Sequence, residues 1–161
     1  MSGLKPGIRV IISRQILILN CPDGSAREFP VSTSKYGIGN KAGSNQTPAG
    51  KHAIFEKIGQ NVPLYGLFRG KEFTGIICSP DTNSSSEDLI TTRILVLDGL
   101  EPGVNRGKGI DSRQRGIWIH GTIEEYKIGR PASHGCIRMN NLDIIELFDL
   151  VECGTTVEIM E

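Results

Sequence analysis

The sequence predicts a mainly β domain with one principal helix. Among its 161 residues, 20 glycines stand against one Trp, three Tyr and five Phe, a balance that favours a turn-rich sheet protein over a helical bundle. Short runs of alternating or β-branched apolar residues, each bounded by turn residues, recur along most of the chain. Only near the C-terminus does the apolar spacing change, to steps of three and four, which is the period of a helix.

In chain order, residues 8–12 and 15–20 read as strands joined at Ser13 and Arg14 in a hairpin. Pro22, Asp23, Gly24 and Ser25 supply turn chemistry, and 26–32 resumes as strand. The Gly-, Asn- and Ser-rich stretch 36–50, with Pro48 near its end, reads as an exposed loop returning to a strand over 51–58. Thr47 and His52 are placed where they face a cleft from this region, although a half-exposed strand position is the better reading for His52. Residues 66–92 carry no legible motif; their polar part, 81–88, reads as a solvated loop or as a lid over a neighbouring cleft. A short buried strand is predicted over 94–97. In the turn-rich stretch 102–115, Arg106, Lys108, Arg113 and Arg115 read as a solvated face more than as a carboxylate site. Ile144, Leu147, Phe148 and Val151 form the helical stripe, with Asn140 or Asn141 as its cap, Asp143 in its first turn and Gly154 closing it, before a last strand over 155–159.

The length suits one domain over residues 1–161. Lys plus Arg and Asp plus Glu number 18 each and are dispersed, so neither nucleic acid nor an anionic membrane finds an electrostatic footprint. The first residues contain no apolar segment followed by a small-residue cleavage site, and the apolar stretch 10–19 is too short and too interrupted to span a bilayer. A cytoplasmic location is therefore expected, with a periplasmic or cell-wall location as the alternative. Cys21, Cys78, Cys136 and Cys153 have no paired spacing, so a disulfide framework is not expected; Cys21 and Cys78 read as turn or loop-edge residues and Cys153 as packing at a helix end.

Chemistry concentrates in two stretches, Ile117-Trp118-Ile119-His120-Gly121-Thr122 and Ser133-His134-Gly135-Cys136-Ile137-Arg138-Met139. A cysteine nucleophile needs a base, amide donors for an oxyanion and a glycine where a side chain would obstruct the carbonyl. Cys136 is the candidate nucleophile, and the amides of Gly135 and Cys136 are the candidate oxyanion hole. His120, at the end of an alternating run, is the candidate base, held at a strand end. His134 is too close along the chain to be the better base and is assigned to the substrate site or to support of the turn. No acidic residue occupies an obvious third position, so the Gly121 carbonyl is the candidate for orienting the His120 ring. The start of a helix just after Cys136 would favour a thiolate if the distance is short.

This ordered set resembles the signature of the YkuD-type L,D-transpeptidase catalytic domain family. The likeness extends upstream to Gln15-Ile16-Leu17-Ile18-Leu19, Phe29-Pro30-Val31-Ser32-Thr33 and Gln46-Thr47-Pro48-Ala49-Gly50, and downstream to Asn140-Asn141-Leu142-Asp143 and Gly154-Thr155-Thr156-Val157. The resemblance implies a β-sandwich-like fold of mixed sheets. It also implies that Cys136 attacks the bond before the terminal D-alanine of a peptidoglycan stem tetrapeptide to leave a thioester. His120 would then take the thiol proton and pass it to the departing amine, Gly121 would orient His120, and Arg138 would brace the loop or meet a substrate carboxylate. Ser133, His134, Gly135 and Arg138 are thus the expected oxyanion and substrate-binding residues.

An amine acceptor then gives an L,D-transpeptidase, and water an L,D-carboxypeptidase acting on soluble muropeptides in cell-wall recycling. The absence of an export signal puts the carboxypeptidase first. A lid within 66–92 that excludes a bulky amine would be enough to select hydrolysis. Zinc binding by His120, His134 and Cys136 lacks a fourth ligand, so no metal and no cofactor are expected. A non-catalytic module that binds cell-wall peptides is the alternative of another class. The expected partners are peptidoglycan stem peptides or muropeptides, with oligomeric state left open.

Overall fold

The structure is a computed structural model that describes residues 5–79 and 88–161. Ten strands and one α-helix follow in the order β1 (Gly7–Ile11), β2 (Ile16–Asn20), β3 (Ala26–Ser32), β4 (Gly50–Ile58), β5 (Gly66–Arg69), β6 (Glu72–Ile77), β7 (Ile90–Gly99), β8 (Trp118–Gly121), β9 (Ile137–Met139), α1 (Asn141–Leu150) and β10 (Thr156–Met160). The predicted strands are found within a residue or two of their expected bounds, except that β7 runs well beyond 94–97 at both ends. The unassigned stretch 66–92 contributes the β5–β6 hairpin and the start of β7. Of the polar stretch 81–88 only Asp88 lies within the described residues, so most of the lid expectation falls outside them.

The strands form one sheet in the order β4-β10-β1-β2-β3-β9-β8-β7-β5-β6, and a further pairing of β4 with β7 closes all but β5 and β6 into a ring. The two layers expected of a sandwich are therefore opposite walls of one continuous sheet. Most neighbours are antiparallel, while β1 pairs with β10 and β8 with β9 in parallel. Parallel neighbours need a crossover rather than a hairpin, and the chain between β8 and β9 supplies one that passes outside the wall.

Alternation decides what each wall buries. Ile119, Ile137 and Met139 point inward with Val10, Leu17, Val31, Leu95 and Leu97. Helix α1 adds Ile144, Leu147 and Phe148, with Val151 just beyond it, which places the predicted stripe in the same core. Truncating one of these fully buried side chains to Ala is expected to cost about 2–5 kcal/mol. No helix among the described residues is long and apolar enough to cross a membrane.

The helix ends differ from expectation. The Asn140 side chain makes no capping bond to the helix backbone and lies instead 3.5 Å from Asp143 Oδ2. The Asn141 N–H is satisfied from a distance by Glu125 Oε2 at 2.9 Å. At the other end Val151 is extended, and Gly154, with φ of +93°, belongs to the following turn rather than closing the helix. Cys153 is exposed in that turn and is not packed as expected.

Candidate active site

The parallel pair β8–β9 builds the centre of the site. His120 stands opposite Arg138 and Ile119 opposite Ile137. Because side chains alternate along a strand, Ile119 and Ile137 fill the core while Trp118, His120 and Arg138 project to the other face. Cys136, two residues before Arg138, shares that outer face. Alternation over two residues in each motif therefore turns His120 and Cys136 to the same face of the wall, with Cys136 level with Trp118.

The Cys136 thiol donates to the Gly116 carbonyl at 3.3 Å and its sulfur accepts the Trp118 N–H at 3.4 Å. Burial pushes the thiol up to about 12. The Trp118 N–H opposes this, as do the charges of Arg115 and Arg138, whereas the Asp88 carboxylate adds to it. The half-buried sulfur is thereby held toward the neutral thiol at rest. The first N–H of α1 is already engaged by Glu125.

His120 is 1% exposed, and its Nδ1 lies 2.7 Å from the Gly121 carbonyl. A carbonyl only accepts, so Nδ1 carries the proton and the neutral ring presents an unprotonated Nε2. Among the described residues Nε2 makes no hydrogen bond. Burial lowers the tendency of His120 to protonate and Arg138 adds to that effect, against the opposing pull of Asp88 and the Gly121 carbonyl. The wall thus carries a thiol and an imidazole that are both held toward their neutral forms.

A second set of contacts fixes this geometry. A Cβ on Gly121 would meet the Thr91 carbonyl oxygen at 2.6 Å and Asn141 Oδ1 at 2.7 Å, so this position has no room for a side chain. Asn141, 1% exposed, donates from Nδ2 to the Thr122 carbonyl at 2.7 Å, and its Oδ1 accepts from the hydroxyls of Thr91 and Thr92 at 2.6 and 2.5 Å. Thr92 is held at φ of +73°, costly for a β-branched residue, beside a register shift in β7. Asn141, by sequence a candidate helix cap, instead clamps the segment that carries His120.

The turn before Cys136 is pinned as closely. Ser133 Oγ donates to the Cys136 carbonyl at 2.6 Å and accepts a long 3.3 Å bond from the Gly135 N–H. Gly135 has φ of +130°, which favours glycine, and its carbonyl accepts the Thr47 hydroxyl at 3.0 Å. Thr47 is fully buried, so it supports the turn rather than facing a cleft. His52 is also fully buried, bonded to the Gly50 carbonyl and to Ser112 Oγ, and is neither half-exposed nor in the site.

Arg138 braces rather than reaches outward. It is 1% exposed and donates to Thr122 Oγ1 at 3.1 Å, Glu124 Oε1 at 3.0 Å and the Ala132 carbonyl at 3.4 Å, with Asp88 Oδ1 3.5 Å from its Nε. His134 is exposed, with Nδ1 3.7 Å from Asp88 Oδ2, and borders two cavities. One, of about 470 Å³, is lined by Arg115, Ile117 and Gln114 among others; the second, of about 480 Å³, by Lys35, Glu124 and Arg130 among others. Among the described residues no group of three or more His, Cys, Asp or Glu side chains could hold a metal ion.

Three neighbours of the pair were missed. Asp88 was the end of a polar run, Asn141 one of two equivalent caps, and Arg115 one of four basic residues assigned to a solvated face. That assignment holds for Arg106 and Lys108, which are exposed, while Arg113 stacks on Phe55 at 3.7 Å. It fails for Arg115, whose guanidinium turns inward to the Gln46 carbonyl at 2.6 Å. No local signal separates these four; only the fold does.

The family model described as YkuD, L,D-transpeptidase catalytic domain, matches residues 5–159. A protein of Bacillus subtilis, YqjB, provisionally named an L,D-transpeptidase, is 44% identical over 54 residues, which cover 34% of this chain and 30% of that protein. Among solved structures, L,D-transpeptidase 3 from Mycobacterium tuberculosis in complex with a faropenem-derived adduct aligns over 97% of this chain and 61% of its own, with a TM-score of 0.60 at 16% identity. An L,D-transpeptidase from Xylanimonas cellulosilytica aligns over 99% and 62%, with a TM-score of 0.55 at 19% identity. At such identities the structural likeness is one of fold, and the chain spans about three-fifths of those proteins. The match of the family model over almost the whole chain is of another kind: this chain belongs to the YkuD-type L,D-transpeptidase catalytic domain family.

Proposed function

We propose that the protein transfers the acyl group of peptidoglycan stem peptides through a thioester on Cys136. The observation that carries this reading is the common outer face to which β8 and the start of β9 turn His120 and Cys136, with His120 Nδ1 fixed on the Gly121 carbonyl and Cys136 held two register positions away at Trp118. In the first half-reaction the thiol rotates from the Gly116 carbonyl and gives its proton to His120 Nε2 as sulfur bonds to the substrate carbonyl carbon. The developing oxyanion is received by the Cys136 amide and by the Gly135 N–H as it leaves its long bond to Ser133 Oγ. The protonated His120 then donates to the leaving nitrogen, the C–N bond breaks, and the terminal D-amino acid departs as its free amine. A thiol held up near 12 makes the base obligatory, because no thiolate is available beforehand. Asp88 and the Gly121 carbonyl stabilise the imidazolium that forms for that interval.

The second half-reaction has two outcomes. The names of the relatives favour transfer to an amine, which is transpeptidation. Attack by water gives an L,D-carboxypeptidase, the outcome that goes with soluble muropeptides and a cytoplasmic site of action. Mass spectrometry of products from a soluble tetrapeptide muropeptide, with and without a free D-amino acid, separates them. Exchange or dimer formation marks a transpeptidase, and a tripeptide under both conditions marks a carboxypeptidase. Unchanged substrate with the wild-type protein would leave only a peptide-binding module.

A further inference from the structure

We propose that Arg115 anchors the free C-terminal carboxylate of the substrate, in the cavity of about 470 Å³ that it lines with Ile117 and His134. This rests on the acyl-transfer reading above and adds to it a residue that makes the enzyme act only at a chain end.

The placement is direct. Arg115 immediately precedes Gly116, whose carbonyl lies 3.3 Å from the Cys136 sulfur. From there its side chain lines the cavity together with Ile117, Gln114 and His134. Its guanidinium bonds are all to neutral acceptors: Nη2 to the Gln46 carbonyl at 2.6 Å and to Ser44 Oγ at 3.5 Å, and Nη1 to the Gly39 carbonyl at 3.3 Å. These contacts hold the group in place and leave Nε–H and one Nη1–H as donors for a ligand. Among the described residues no carboxylate pairs with Arg115.

Of the other cations near the site, Arg130 lies in the second cavity, with Lys35 and Glu124, and does not line this one. Arg138 is held by Glu124 and Asp88, Lys127 lies 2.7 Å from Glu124, and Lys35 sits over the Tyr36 ring. Asp111 lines the same cavity as Arg115, but its oxygens accept the Gly107 and Gln114 N–H groups at 3.0 Å, which hold it ionised. Its fixed negative charge repels a ligand carboxylate from that end and leaves Arg115 as the attractive pole. Burial lowers the affinity of Arg115 for its proton, so its charge is incompletely hydrated and interacts the more strongly with an incoming anion. A carboxylate one residue beyond the attacked bond fits this site, whereas a chain continuing past that residue brings a neutral amide.

The test compares an L,D-linked tetrapeptide with its C-terminal amide, using the purified wild-type protein, Arg115→Gln and Arg115→Lys. The wild type is expected to favour the acid by about tenfold or more in kcat/KM. Arg115→Gln brings the acid down to the amide's level through KM, and Arg115→Lys keeps part of the preference. Equal turnover of acid and amide by the wild type overturns the inference, as does an equal loss on both substrates in a folded Arg115→Gln. If thermal melting shows Arg115→Gln to be unfolded, the wild-type comparison and the Lys variant decide. Wild-type turnover of neither substrate defeats the acyl-transfer reading itself and the inference with it, an outcome distinct from turnover without discrimination.

Discussion

His52 and His120 occupy two regions built on one plan. Each is buried, and each places Nδ1 on a glycine carbonyl, Gly50 at 3.0 Å and Gly121 at 2.7 Å. Neither glycine accepts a side chain: at Gly50 φ is +104° and a Cβ would meet Asn105 Nδ2 at 2.9 Å, while at Gly121 the Thr91 carbonyl stands in the way. Each segment is backed by a buried asparagine, Asn105 reaching the Ala49 and Lys51 carbonyls and Asn141 reaching that of Thr122. Burial lowers the protonation tendency of both rings. The difference lies at the far nitrogen. His52 Nε2 is closed off by Ser112 Oγ at 2.8 Å, which ties β4 to the long loop before β8. Among the described residues His120 Nε2 makes no hydrogen bond, on the face that carries Cys136. Burial and anchoring hold both rings rigid and toward the neutral form, and the second nitrogen is what distinguishes them.

The sharpest way to break the comparison is to remove each ring. His120→Ala is expected to lower kcat by about 10²–10⁴-fold, the range for loss of a general base, with little change in melting temperature. His52→Ala is expected to retain kcat within a few-fold but to lose about 1–3 kcal/mol of stability, because Ser112 and the Gly50 carbonyl lose a buried partner. Denaturant titration beside steady-state kinetics checks both, and equal kinetic losses would erase the distinction.

The asparagines give a smaller effect of the same kind. Asn141→Ala is expected to reduce kcat about ten- to one-hundred-fold with KM nearly unchanged, since freeing the 120–122 segment misplaces the base. Asn105→Ala is expected to lower stability by about 1–3 kcal/mol with a smaller change in kcat.

The smallest expected signal is in pH. Both histidines titrate below the ordinary 6.5 when folded, so the folded state binds fewer protons than the unfolded one. Their contribution to stability is complete above 6.5 and is lost as pH falls through the lowered folded values. The acid limb of kcat/KM should accordingly lie below 6.5, and His52→Ala should leave that limb in place while reducing the acid sensitivity of stability. With Cys136 pushed from 9.0 to about 12, no alkaline rise in rate is expected around pH 9. There the unfolded thiol ionises while the folded one does not, so stability falls as pH rises between those values. A rate that climbs through pH 9 would mean a thiol that its surroundings do not hold up.

The amino-acid sequence by itself determined the strands outside 66–92, β9 excepted, and the helix stripe, and it singled out His120 and Cys136 as the candidate pair. Those signals are local: a period of two or of about 3.6, a turn residue, a glycine next to a reactive group. It also located Gly121 next to His120, and the bond from the ring to its carbonyl spans a single residue. The tertiary structure alone decided the closure of the sheet through β4 and β7, the neutral state of the thiol, and which of the four basic residues before β8 turns inward. It also decided that Glu125 rather than Asn140 satisfies the helix start, that Asn141 clamps Thr122, and that Asp88 reaches Arg138. Each of these depends on residues far apart in the chain, and on burial, which sets the cost of a charge only once the surrounding walls are in place.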